Sequence, residues 1–196
     1  MNQWWQMWCD FFTPEECDEI IRGGLLLPKQ EATTGHGTGQ SDVNKDIRRS
    51  SVRWFDRIFY KNDWLFSKME HAFQFANLNA FNFDISYFKE IQFTEYDASY
   101  EGKYDWHEDC NLARNHPSRR KISMVVQLTD PSEYEGGNLE LDTGQMGGED
   151  QQPKVDDLRR RGTTIIFPSF LRHRVTPVTE GKRYSLVSWY EGPPFR

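Results

Sequence analysis

From Ala80 onward, apolar and polar residues alternate with a period of two, and this alternation constrains the chain more than any other feature. It recurs in eight stretches, residues 83–88, 90–96, 103–107, 122–128, 138–141, 163–167, 172–178 and 183–190. Successive side chains on a β-strand point to opposite faces, so each stretch reads as a short strand with one face buried. Gly136-Gly137 and Gly147-Gly148 mark turns between them. So many short strands in one chain suit an antiparallel jelly roll.

The first eighty residues carry other signals. Thr13-Pro14-Glu15-Glu16 reads as a helix start: Thr13 caps, Pro14 takes the first helical position, and Glu16 reaches back to complete a capping box. Phe12 staples onto Cys17, and Gly23-Gly24 is expected to end the helix. The preceding aromatics (Trp4, Trp5, Trp8, Phe11 and Phe12) are expected to pack an edge strand onto the core. Residues 29–46 are polar and rich in Gly and Thr, without a dinucleotide or phosphate-loop pattern, so a nucleotide site is rejected. A loop of this length reads either as a mobile lid over a site or as simple disorder, with His36 exposed in it. Residues 48–60 read as extended. Asn62-Asp63 then caps a helix whose apolar residues Trp64, Leu65, Met69, Phe73 and Leu78 fall at helical spacing, and His71 on it is not read as a ligand. The fold class is therefore α+β. The 196 residues form one domain, with 1–80 as helical and strand support on the outer face of one sheet and 81–196 as the jelly-roll core.

A net charge of −6 argues against nucleic acid as the partner. The locally basic residues 114–121 and 159–161 read as a solvated loop and a helix end. No apolar run approaches a membrane span and the N-terminus lacks the features of a signal peptide. Three cysteines are too few for a disulfide framework, so a cytoplasmic location is expected. Cys110 reads as a packed thiol. Nothing in the pattern fixes an oligomeric state.

The chemistry gathers in Lys103-Tyr-Asp-Trp-His-Glu-Asp-Cys-Asn111. If this is a strand throughout, His107 and Asp109 share one face. Two nitrogens and one carboxylate with open positions left over favour non-haem Fe(II), and His173, in a β-branched run, supplies the second nitrogen. Residues 172–178 and 183–190 flank Thr179-Glu-Gly-Lys182, which suits a hairpin turn. In that hairpin Arg183 lies near Pro177, roughly 13 Å along the strand from His173. A five-carbon dicarboxylate chelating the metal there would present its far carboxylate to a bidentate guanidinium. Ser185, Val187 and Trp189 share the face of Arg183.

His107-x-Asp109, His173 and Arg183 ten residues later resemble the Fe(II)- and 2-oxoglutarate-dependent oxygenases, in their prolyl 4-hydroxylase-like branch. The opening Phe12-Thr-Pro-Glu-Glu-Cys17, Tyr96, Tyr104-x-x-His107, Glu135-Gly-Gly-Asn-Leu139, Phe167-Pro-Ser169 and Gly181-Lys-Arg-Tyr-Ser185 extend the likeness over most of the chain. The resemblance implies a double-stranded β-helix holding Fe(II) through His107, Asp109 and His173. It implies a cosubstrate pocket in which Arg183, Tyr96, Gln127 and Ser185 meet 2-oxoglutarate between walls of Leu139 and Val175. Trp189 and Asn111 would then face the substrate. The implied reaction uses O2, with ascorbate in support, to hydroxylate an unactivated C–H bond, a prolyl residue of a peptide or protein being the leading substrate, with another amino-acid side chain or a small molecule behind it. Two positions depart from common patterns: Cys110 intervenes before Asn111, and Arg183 stands where many collagen-type relatives have lysine, so a collagen-like substrate does not follow. An iron oxidase of the same fold acting without 2-oxoglutarate, and a jelly-roll binding module without catalysis, are the competing readings. A zinc hydrolase fits poorly, because no carboxylate is placed as its general base.

Overall fold

Two antiparallel sheets carry the alternation seen after Ala80. The structure, a computed structural model, describes residues 4–34, 43–57, 63–110, 117–144 and 152–195. In chain order the elements are β1 (Gln6–Trp8), α1 (Pro14–Leu25), β2 (Gln30–Glu31), β3 (Arg48–Arg49), β4 (Ser51–Asp56), α2 (Asp63–Ala76), β5 (Tyr87–Asp97), β6 (Lys103–His107), β7 (Arg119–Gln127), β8 (Tyr134–Gly136), β9 (Leu139–Leu141), α3 (Val155–Arg159), β10 (Thr164–Pro168), β11 (His173–Val175) and β12 (Val178–Gly192). The larger sheet runs β1-β10-β7-β12-β5-β4-β2, with β8 paired to β12, and the smaller runs β3-β6-β11-β9. This is the expected jelly roll. The N-terminal strands do not stand apart from it, since β1, β2 and β4 extend the larger sheet and β3 the smaller.

The period of two sorts the larger sheet into two faces. Ile91, Phe93, Met124, Val126, Ile166 and Leu186 point outward into a core completed by Phe12, Cys17, Ile20, Leu65, Met69 and Phe73 of the helical region. Tyr96, Val125, Ile165 and Phe167 point inward, toward Leu139, Leu141 and Val175 of the smaller sheet. The helices therefore cover the outer face, and the inner face is left to line a space between the sheets.

The capping box at Thr13 forms as expected. Glu16 N–H donates to Thr13 Oγ1 at 3.2 Å, and Thr13 N–H donates to Glu16 Oε2 at 2.8 Å. The glycine pair does not end α1, which continues to Leu25. Gly24 serves close packing instead: a Cβ there would lie 2.6 Å from the ring of Phe93. Phe93 is fully buried and stacked on Tyr184 at 5.4 Å, so it has nowhere to retreat. Gly24→Ala is thus expected to destabilise by about 1–2 kcal/mol, because overpacking of ~1–3 kcal/mol outweighs the gain in helix propensity of ~1 kcal/mol. A lowered urea midpoint at unchanged m-value checks it.

The second helix also departs from expectation at its end. A π-helical turn, Asn77–Phe81, follows α2 and shifts the phase of the apolar stripe. Leu78 is consequently 79% exposed rather than on the core face. Residues 83–86 lie outside any strand, and β5 joins what reads as two strands around Lys89 into one of 11 residues.

The basic stretch 114–121 is not simply a solvated loop, because β7 begins at Arg119 and both Arg119 and Lys121 are buried. Residues 35–42, with His36 and the middle of the expected lid, lie outside the described residues, as do Asn111 and Gly147-Gly148. The edges of that loop are anchored. Ala32 N–H donates to Ser50 O at 3.1 Å, and Lys29 Nζ lies 2.9 Å from Glu95 Oε1.

Glu95 also accepts from Arg53 at 2.9 Å, with its side chain only 4% exposed. Burial alone would raise its carboxyl pKa, but the bonds from Lys29 and Arg53 outweigh burial and hold it below the ordinary range. A carboxyl depressed in the folded state stabilises above its unfolded pKa, about 4.3, and that stabilisation is lost as pH falls below it. Glu95→Gln is expected to lower stability at pH 7 by ~1–3 kcal/mol and to flatten the loss of stability on acidification below pH ~4.3. Urea titrations across that pH range read both effects.

No helix among the described residues is long and apolar enough to cross a membrane.

Candidate metal centre

His107 and His173 are directly opposed across the antiparallel pair β6 and β11. Their ring centroids are 4.2 Å apart. Strand β6 ends at His107, so Asp109 is not a further strand position on the same face. It is carried back by a turn in which the N–H groups of Asp109 and Cys110 both donate to Ser169 O, at 2.9 and 3.0 Å. The turn brings Asp109 Oδ1 within 3.8 Å of His107 Nε2, and Oδ2 within 3.5 Å of His173 Nε2. Among the described residues these three are the only His, Cys, Asp or Glu group whose donor atoms all lie within 4.8 Å of one another.

Each ligand is held by a second contact. His107 Nδ1 lies 2.8 Å from Asp105 O, and His173 Nδ1 lies 2.9 Å from Leu171 O. A carbonyl only accepts, so Nδ1 carries the proton in both rings and each Nε2 presents a bare lone pair to the centre. Ser123 Oγ donates to Asp109 Oδ2 at 2.7 Å and is itself 2.9 Å from Ser169 Oγ. Tyr104 stacks on His107 with centroids 3.4 Å apart and planes 11° from parallel, and the guanidinium of Arg48 covers the other side of Tyr104 at 4.5 Å.

Electrostatics keep His107 and Asp109 in the forms a cation needs. Burial, reinforced by the neighbouring His173, pushes His107 down to about 3 despite the opposing pull of Asp109. Burial would raise Asp109, but His173, His107 and Arg120 outweigh it and hold the carboxyl below its usual range. Burial pushes Tyr104 up to about 12, so it stays a neutral phenol.

The centre opens into a cavity of about 640 Å³ between the two sheets. Tyr96, Leu139, Val175, Arg183, Ser185 and Trp189 all line it, together with the three donor residues. Gln127 is buried beyond Val125 and is not among the lining residues.

The expected hairpin joining the strands of His173 and Arg183 does not form. β11 pairs with β6 and β9, whereas β12 pairs with β5, β7 and β8. The chain crosses from one sheet to the other at Thr176-Pro177, and Gly181 lies within β12 at φ +69°, where a Cβ would come 2.0 Å from Glu133 O. A glycine at a bulge and a glycine in a hairpin turn leave the same trace in sequence. His173 and Arg183 therefore line the cavity from opposite sheets.

Arg183 is only 1% exposed. Its guanidinium lies 5.3 Å from the ring of Tyr96, its partner across β5 and β12, and Nη1 is 3.4 Å from Ser185 Oγ. Nε and Nη2 have no hydrogen-bond partner among the described residues. A buried guanidinium without an anion is costly, so this end of the cavity is built for an anionic ligand.

Sequence reading missed Arg120, which lies in the cavity with its guanidinium 3.6 Å over Trp189, and Arg48 behind Tyr104. Alternation misleads for the first: with Ser123 and Val125 inward it would turn Arg120 outward, and only the register shift opposite Tyr190 and Glu191, which no local residue signals, brings Arg120 into the cavity. Nothing in the residues around Arg48 signals its stack.

The sequence model of the 2OG-Fe(II) oxygenase superfamily matches residues 91–191, the stretch that holds every donor and lining residue from β5 to β12. A PKHD-type hydroxylase of Synechococcus sp. (strain CC9605) is 40% identical over 88 residues, covering 45% of this chain and 36% of that protein. The chain thus matches little more than a third of the length of such curated relatives. Among solved structures, a prolyl-4-hydroxylase of Pseudomonas putida superposes with a TM-score of 0.68 at 22% identity, over 97% of this chain and 94% of that one. A Trichoplax adhaerens prolyl hydroxylase, in complex with a hypoxia inducible factor oxygen degradation domain peptide fragment, also gives 0.68 at 18% identity, over 96% of this chain and 84% of that one.

Proposed function

Because the chain belongs to the 2OG-Fe(II) oxygenase superfamily, we propose that it is an Fe(II)- and 2-oxoglutarate-dependent dioxygenase that hydroxylates a prolyl residue of a peptide or protein. The observation that carries this reading is the pairing of a two-histidine, one-carboxylate donor set with a fully buried, anion-free Arg183 in one cavity. The donor set suits Fe(II), and the orphaned guanidinium suits the far carboxylate of a dicarboxylate cosubstrate. When bound, Fe(II) with 2-oxoglutarate and O2 supplies the oxidising power to hydroxylate an unactivated C–H bond, the cosubstrate leaving as succinate and CO2.

The residues of the chain have separable tasks in this reading. His107, Asp109 and His173 would hold the metal. Asp105 O, Leu171 O and Ser123 fix the orientation of those donors. Arg183, with Ser185 beside it and Tyr96 beneath, would receive the far carboxylate of the cosubstrate, and Leu139 and Val175 would supply apolar walls. Trp189 stands on the inner face toward the substrate side. Ascorbate is proposed as a supporting reductant. The cytoplasm is the proposed location, in keeping with Cys9, Cys17 and Cys110, all free thiols.

The peptide substrate is supported by the relatives that are hydroxylases by name, and by the peptide bound in the Trichoplax structure. The test is mass spectrometry of prolyl peptides incubated with Fe(II), 2-oxoglutarate and ascorbate. A gain of one oxygen that requires both Fe(II) and 2-oxoglutarate is expected. Peptide oxidation independent of 2-oxoglutarate would instead make the protein an iron oxidase of the same fold.

A further inference from the structure

Among the described residues, most arginines outside the cavity pair with a carboxylate. Arg49, Arg53, Arg57, Arg160, Arg161 and Arg174 each form an ion pair with a carboxylate. The four arginines that line the cavity, Arg48, Arg120, Arg172 and Arg183, form none among the described residues. Arg48 is committed locally, its Nε donating to Ser50 Oγ at 2.9 Å and its Nη1 to Thr33 O at 3.2 Å. Arg183 is assigned above to the cosubstrate. Arg120, half-buried on β7, lies 3.6 Å over Trp189 and feels Asp109, Glu191 and Glu90 only beyond ion-pair distance, and Arg172, exposed just before β11, lies 5.8 Å from Trp106; neither forms an ion pair among the described residues. Those two approach the cavity from opposite sheets.

The charge of the cavity points the same way. Among the described lining residues, four guanidinium groups face two carboxylates, Glu108 and Asp109, an excess of two positive charges. Fe(II) and a dianionic 2-oxoglutarate cancel each other, so the excess remains in the loaded site. This stands out in a chain whose net charge is −6. A cavity with low-dielectric walls and uncompensated charge of one sign favours a ligand of the other sign, in affinity and in encounter rate.

Resting on the oxygenase reading above, we propose that the substrate brings a carboxylate group into the mouth, where Arg120 and Arg172 receive it from the two sheets while Trp106 and Trp189 hold the adjoining apolar surface. The carboxylate has two sources: an acidic side chain flanking the hydroxylated residue of a peptide, or the α-carboxylate of a free amino acid. Arg172 is the specificity-determining residue that is simplest to test, because it is exposed and lies outside the metal and cosubstrate contacts.

The experiment uses the full chain with Fe(II), 2-oxoglutarate and ascorbate. One arm holds end-blocked prolyl peptides that differ only in a single flanking residue, Glu, Gln or Lys, scanned over neighbouring positions. The other arm holds free amino acids with and without an amidated carboxylate. Hydroxylation is read by mass spectrometry and cosubstrate use by succinate. The Glu form should exceed the Lys form in kcat/KM by on the order of tenfold at one or more positions, with the ratio shrinking at raised salt. In Arg172→Glu that ratio should invert. Because a ratio is read, a general loss of activity in the variant does not obscure it. A preference confined to free amino acids with an intact carboxylate supports the same proposal through its second source. Equal rates across the peptide series and the amidated pair would overturn it while leaving the oxygenase reading intact, as would a Glu/Lys ratio that Arg172→Glu leaves unchanged. Succinate formation with no hydroxylation of any carboxylate-bearing compound overturns it too. Absence of any succinate, with or without candidate substrates, removes the oxygenase reading and this proposal with it.

Discussion

Asp109→Ala should lower Fe(II) affinity by roughly 100–4000-fold and abolish Fe(II)-dependent turnover, since breaking a buried charge-compensated contact costs ~3–5 kcal/mol and each ~1.4 kcal/mol is tenfold. The effect is large because Asp109 supplies the only carboxylate in the donor group, and its side chain is 8% exposed, so water does not replace it well. The fold should survive, since the backbone turn is fixed by Ser169 O and Ser123 keeps its bond to Ser169. Ser123→Ala grades the same argument. It removes the hydrogen bond to Asp109 Oδ2 but leaves all three donors, and a lost orienting partner typically costs ~10–100-fold in metal affinity. Titration of both variants with Co(II) as a spectroscopic probe separates the cases. An Asp109→Ala protein with undiminished metal affinity and activity would show that the donor set lies elsewhere.

The donor residues were legible in sequence, but their geometry was not. His107-x-Asp109 reads as two ligands on one strand face, yet the strand stops at His107 and a turn anchored on Ser169 O delivers Asp109. Residue spacing restricts how far apart two side chains lie and leaves open whether a strand or a turn joins them. The partner of His173 was misread for a related reason. Gly181 and its neighbours suit a hairpin, and only the backbone beyond them shows that β11 and β12 belong to different sheets. The jelly roll itself was legible, because the inner and outer faces of β5, β7, β10 and β12 demand opposite environments and a period of two is hard to satisfy otherwise. Gly24 and Leu78 lay beyond local rules. A contact with Phe93, 69 residues away, decides the first, and a π-helical turn that rotates the stripe decides the second. Arg120 and Arg172 were visible as charges but not as a pair, because two sheets must close before they share a cavity.

Arg183→Ala should weaken 2-oxoglutarate binding by roughly 30–1000-fold, the equivalent of ~2–4 kcal/mol for a charge-assisted, bidentate contact in a desolvated pocket. The guanidinium is already held in place without an anion: Tyr96 lies beneath it, Ser185 beside it, and a Cβ at Gly137 would come within 3.0 Å of its Cδ. The binding energy is therefore not consumed in ordering a flexible side chain. Leaving that charge buried and unpaired costs the empty protein stability, so the variant should melt no lower than wild type in the absence of cosubstrate. Added 2-oxoglutarate should then separate the two proteins, since a ligand at 100 times its Kd stabilises by about 2.7 kcal/mol and the variant forfeits most of that gain at the same concentration. Arg183→Lys should fall between them, keeping the charge but losing the planar fork. Calorimetric titration with 2-oxoglutarate, using Mn(II) in place of Fe(II) to prevent turnover, measures the affinity directly. Metal binding should hardly change, because Arg183 and the donor residues enter the cavity from different sheets. Unchanged 2-oxoglutarate affinity in Arg183→Ala would instead give the arginine to a substrate carboxylate and favour the oxidase that works without the cosubstrate.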